Sequence, residues 1–106
     1  MERRRTPRVE SGIPVEFDTA TDRELLGIGQ NVSKKGLLLL SRVEHAPGEP
    51  LTLRFRTHGR SGDITEIAAH VLRSEANHPE SLWPIKSAVE FDREEDVRLD
   101  ALEDRA

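Results

Sequence analysis

The sequence predicts an all-β domain, an antiparallel barrel or sandwich, on three observations. Apolar and polar residues alternate in several short stretches, the period that buries one face of a strand. Glycine and proline punctuate those stretches at fairly regular spacing, as between the strands of a barrel. A chain of 106 residues, 35% hydrophobic and 34% charged, has room for one lean core and a well-solvated surface.

Taken in order, residues 1–10 read as a flexible N-terminal arm. It carries Arg3, Arg4, Arg5 and Arg8, and Pro7 removes a donor and pushes Thr6 toward an extended conformation. Ile13, Val15 and Phe17 alternate as a half-buried strand, and Asp18 to Glu24 is a polar turn. Leu25 to Val32 contains Gly27 and Gly29, which suit a bent strand better than a helix. The four leucines Leu37 to Leu40 are helical by propensity, but the shortness of the run and the flanking Gly36 favour a strand through Ser41.

Pro47-Gly48-Glu49-Pro50 is a strong turn, and strict alternation follows from Leu51 to Phe55. His58 to Asp63 is a second turn of hairpin length. Ile64 to Leu72 is the next strand, with Ile64, Ile67, Ala69 and Val71 apolar and one irregularity that reads as a bulge. Ala76 to Glu80 is a loop around Pro79. Leu82 to Phe91 closes the series, with Ser87 or Ala88, then Val89 and Phe91, on one face. From Arg93 to Arg105, Val97, Ala101 and Leu102 stand at helical spacing, so residues 93–106 read as a short C-terminal helix or tail.

Composition narrows function. There is no cysteine, which excludes disulfides, thiolate metal sites and cysteine nucleophiles. No signal-peptide pattern opens the chain and no apolar run could cross a membrane, so a cytoplasmic location is expected. The net charge of −4 argues against general binding of nucleic-acid polymers, as does the shortage of aromatics (three Phe, one Trp, no Tyr). Charge is unevenly placed. Residues 1–8 hold four Arg and one Glu, whereas residues 90–106 hold eight acidic groups and three Arg. The basic end is an anion-seeking arm in waiting.

His45, His58, His70 and His78 are separated by 13, 12 and 8 positions, no metal-ligand spacing, and they read as surface or strand residues. Trp83 reads as a core or rim residue rather than a stacking platform. No Ser/His/Asp arrangement, carboxylate pair or phosphate loop stands out, so neither an enzyme nor a cofactor-dependent protein is expected.

Two motifs remain. The arginine cluster Arg3-Arg4-Arg5-Thr6-Pro7-Arg8 taken alone is a solvated basic terminus, and Asn31-Val32-Ser33-Lys34-Lys35-Gly36 taken alone is a polar turn whose glycine serves a left-handed position. Together they suit a guanine-containing, doubly phosphorylated ligand. Arginine forks match phosphate oxygens and the O6/N7 edge of guanine, Asn and Ser supply neutral donors and acceptors, and glycine admits close backbone approach.

The pair, Arg4 to Arg8 as RxxxR and Asn31 to Gly36 as [D/N]xSxxG, resembles the two-part signature of PilZ domains. Pro47-Gly48 before a strand, the strand from Ala69 to Leu72, and Ser87-Ala88-Val89-Glu90-Phe91 follow in the family's order, so the resemblance spans nearly the whole chain. It implies a six-stranded antiparallel β-barrel over residues 11–92 that binds cyclic di-GMP, with the arm folding over the ligand. Carried over by position, Arg4 and Arg8 grip phosphate and guanine, and Arg5 is a second basic residue. Asn31 faces guanine, Ser33 lies nearer the phosphates, and Gly36 completes the barrel-side half. A basic residue before the first motif arginine goes with an intercalated ligand dimer, and Arg3 stands there. With no room for an output domain in 106 residues, the effect is expected to pass through a downstream protein partner or through oligomerisation, the chain acting as a monomer or homodimer. A ligand-independent protein-interaction adaptor of the same fold is the rival expectation. One departure is Ala88, where the family commonly carries glycine.

Overall fold

The computed structural model describes residues 11–56 and 64–93. The expected arm, the 58–63 turn and the C-terminal helix (but for Arg93) lie outside the described residues. Six strands form: β1 (Ile13–Asp18), β2 (Leu25–Gln30), β3 (Gly36–Ser41), β4 (Pro50–Arg56), β5 (Ile64–Ala76) and β6 (Ile85–Phe91). They close into a barrel in the order β1-β2-β3-β6-β5-β4, every neighbouring pair antiparallel. Of the two architectures that alternation allows, the molecule takes the barrel, which leaves no sheet edge unpaired.

The alternating residues do what their period predicts. Val15 and Phe17, Leu37 and Leu39, Leu51, Leu53 and Phe55, Ile67, Ala69 and Val71, and Val89 and Phe91 all point inward into one buried cluster. Phe55 and Phe91 stack at 6.3 Å between ring centroids. On β6 the inward set resolves to Ser87, Val89 and Phe91, which puts Ala88 and Glu90 on the outer face. Ser87 is fully buried and shares a short hydrogen bond with the hydroxyl of Ser74 across the ladder.

Three element boundaries differ from the sequence reading by two residues or more, each for a local reason. β2 stops at Gln30 rather than Val32, because Asn31 takes a left-handed backbone at φ 51° and turns the chain. β6 starts at Ile85 rather than Leu82, because Pro84 has no N–H to give the ladder. β5 runs on to Ala76, since a bulge between Val71 and Arg73 absorbs the break in periodicity and pairing with β6 resumes beyond it. The bulge pushes Leu72 outward, where it stays half exposed. Trp83 is partly buried at the rim, with the Arg42 guanidinium carbon 5.4 Å from its ring centroid.

Charge clamps the outer surface where β1, β4 and β5 adjoin. Arg54 donates to Asp18 through both terminal nitrogens, at 2.7 and 3.0 Å, and to Glu16 at 3.3 Å. The Arg54 hydrogen bond, then the Glu24 backbone N–H at 2.8 Å, pull the Asp18 carboxyl down to about 2. His45 departs from the expected surface role. It is buried edge-on against Phe17, its Nε2 3.4 Å from Ser41 Oγ and its Nδ1 3.5 Å from a Glu49 carboxylate oxygen. That trio imitates a hydrolytic relay in outline. Ser41 is fully buried, however, and its hydroxyl donates to the Val43 carbonyl at 3.0 Å, so a substrate has no approach and the group is a packing device.

Candidate functional site

The second motif occupies the β2–β3 connection, and its residues divide between building the turn and facing solvent. Val32 is buried and anchors the loop on the core. Ser33 makes the turn itself. Its N–H donates to the Gly36 carbonyl at 2.9 Å, and its Oγ accepts the Lys35 N–H at 3.1 Å. Asn31, Ser33, Lys34 and Lys35 are exposed. Asn31 holds the left-handed position, and asparagine tolerates that backbone better than most side chains do.

Gly36 is required for a different reason from the one its turn context suggests. Its backbone is not left-handed. It sits in β3 directly across from Glu90, and a Cβ there would collide with the Val89 carbonyl oxygen. The glycine lets β3 and β6 approach, which brings the motif loop against the end of β6. Phe91 N–H donates to the Lys35 carbonyl at 2.8 Å and fixes that contact.

An open pocket of about 330 Å³ results, lined among others by Asn31, Ser33, Lys35, Gly36, Leu72 and Glu90. A second, of about 280 Å³, adjoins it along Lys35 and Glu90 and extends to Asp92 and Arg93. The structure thus places Asn31, Ser33 and Gly36 on one wall. Arg3, Arg4, Arg5 and Arg8 lie outside the described residues. Ala88 pairs with Leu38 on the outer face beside the pocket.

Leu72, Lys35 and Glu90 are among the lining residues not singled out as site residues from the sequence. Leu72 reaches the pocket only because of the bulge, which the periodicity hinted at without fixing its place. Lys35 sat unread at a variable position of the motif. Glu90 was legible in principle, since strict alternation in Val89-Glu90-Phe91 turns it outward.

Charges here are arranged rather than scattered. His70 on β5 receives two carboxylates, Asp92 just past the end of β6 at 2.9 Å on Nδ1 and Glu90 of β6 at 3.1 Å on Nε2. The Asp92 hydrogen bond is the main cause that raises the imidazole above its usual 6.5, with the Asp92 and Glu90 charges adding to it. A raised folded value means that stabilisation is complete below about pH 6.5 and disappears as pH rises through the raised value. Urea midpoints of the wild type and His70→Gln are therefore expected to differ most below about pH 6.5 and to converge as pH rises through the raised value. A gap that stays constant or widens with pH would contradict the assignment.

Chemically the site offers amide, hydroxyl and ammonium groups on one wall and a carboxylate at its end, a recognition surface for a polar anion. Among the described residues no group of three or more His, Asp or Glu side chains is arranged to hold a metal ion. No helix among them is long and apolar enough to cross a membrane. Compared with known proteins, the chain matches the family model of the PilZ domain over residues 2–104. No curated protein matches it, and no solved structure does.

Proposed function

The chain belongs to the PilZ domain family, a family of cyclic di-GMP-binding and adaptor domains, and from that premise we propose that it is a cyclic di-GMP receptor that signals through a protein partner. The observation that carries the reading is the pocket itself: Asn31, Ser33 and Gly36 share one wall beside Lys35, open to solvent.

In this reading the ligand joins two halves. The motif loop is the rigid half, positioned by the Ser33 turn and by the close approach of β3 to β6. Arg4 and Arg8 come from the arm to phosphate and to the O6/N7 edge of guanine, with Arg5 in support. Arg3 favours an intercalated dimer. Each charge-assisted hydrogen bond contributes about 1.5–3 kcal/mol, and ordering each arm residue costs about 1–2 kcal/mol, so several contacts must form together. Closure of residues 1–10 over the barrel then alters the surface that a partner meets. This reading requires no catalytic step.

Calorimetry tests the assignment. Arg4→Ala is expected to weaken cyclic di-GMP binding at least about tenfold, and Ser33→Ala about three- to tenfold, without loss of fold. Wild-type affinity in both variants would contradict it. The adaptor reading predicts instead that a partner is captured equally by the wild type and by an Arg8→Ala/Ser33→Ala double variant, with or without the dinucleotide.

A further inference from the structure

Glu90 occupies a place that phosphate recognition does not explain. Its carboxylate lines the pocket that Asn31 and Ser33 form, and the adjoining pocket as well. A carboxylate repels phosphate, so its presence on this wall marks the part of the site where phosphate does not lie. Lys35 stands beside it in both pockets, which places a cation and an anion next to each other along one continuous strip.

The carboxylate is also held in place. Glu90 Oε1 is 3.1 Å from His70 Nε2, and Asp92 engages the other imidazole nitrogen at 2.9 Å. A carboxylate has about four lone-pair sites, so one contact to His70 leaves most of its accepting capacity free. A fixed acceptor-only group at the end of a pocket calls for a ligand edge made of donors. Guanine has one, because N1–H and the N2 amino group lie side by side and match the two oxygens of a carboxylate. Adenine sets an unprotonated N1 there, and its lone pair would face the negative charge. The same side chain would thus attract one base and repel the other, the two-sided way in which specificity arises.

We infer that Glu90 is a specificity-determining residue of this site, accepting hydrogen bonds from the N1–H and N2 amino edge of one guanine of the ligand while Lys35 faces its phosphate side. This inference rests on the cyclic dinucleotide reading above and extends it from ligand class to base identity. It also divides the labour within the base. The arm arginines suit the O6/N7 edge, and Glu90 takes the edge they leave open.

The test compares cyclic di-GMP with cyclic di-AMP by calorimetry, for the wild type and for Glu90→Gln, with thermal melts to show that the variant is folded. Glu90→Gln keeps the shape and removes the charge. The expected result is a loss of about 10- to 100-fold in affinity for cyclic di-GMP, with cyclic di-AMP unchanged or improved, so that the discrimination ratio shrinks. An unchanged ratio overturns the inference, whether both affinities hold or both fall together. If the wild type binds neither dinucleotide, the receptor reading itself fails and takes this inference with it. A wild type that binds cyclic di-GMP beside a variant with an unaltered ratio sinks the inference alone.

Discussion

Gly36→Ala is expected to destabilise the barrel by about 3 kcal/mol, at the upper end for overpacking, and to disable the pocket at the same time. The methyl group would meet the Val89 carbonyl oxygen, a backbone atom of the neighbouring strand that cannot rotate aside. Relief requires β3 and β6 to separate where the motif loop joins them. For a domain of this size, a loss of that order lowers Tm by about 10–20 °C. Gly48 supplies the comparison. Its backbone is left-handed, at φ 85°, but a Cβ there would meet nothing within 4 Å. Gly48→Ala should therefore cost only about 1–2 kcal/mol, for the backbone alone, and should leave the pocket intact. Thermal melts of both variants check the ranking, and equal effects would contradict it.

The second large effect lies in the core, away from the pocket. Phe17→Ala is expected to cost about 3–5 kcal/mol, because its ring is fully buried and packs edge-on against His45 at 5.6 Å. Domains have about 5–15 kcal/mol in total, so this single change would remove a large share of the stability. It would also leave the buried His45 ring facing a void, which sharpens the loss. Urea unfolding measures it, and a loss below about 1 kcal/mol would show that the core closes around the gap.

The two variants separate what was legible in the sequence from what was not. Alternation in β1 and β4 made the inward face of the barrel readable, Phe17 included, because one buried face imposes a strict period of two. The four leucines of β3 were also readable as a strand, from their length and from Gly36. Burial of His45 was not readable, because it depends on Phe17 of β1 packing against the loop between β3 and β4. The chemical reason for Gly36 was hidden too. A glycine beside a turn points to a left-handed backbone, yet here Asn31 takes that role and Gly36 serves a close crossing of strands. Such an approach depends on the β3–β6 pairing, whose partners lie about half the chain apart.

The pocket shows the same division. Asn31, Ser33 and Gly36 belong to one short motif and were legible together. Leu72 and Glu90 come to them from β5 and β6, through a bulge and a register that only the closed barrel fixes. Glu90 in particular looked like one more surface acid in an acidic stretch of sequence. Its meaning comes from its position beside Lys35 and from the imidazole that holds it.

Where the ligand sits is the central question. The most direct measurement is amide chemical-shift mapping of the ¹⁵N-labelled full chain during titration with cyclic di-GMP. The prediction is saturable shifts concentrated at Asn31, Ser33, Lys35, Gly36, Leu72 and Glu90, with the arm arginines joining them. Saturable shifts confined to another face of the barrel, such as the rim around Trp83, would contradict it, and so would a spectrum that cyclic di-GMP leaves unchanged.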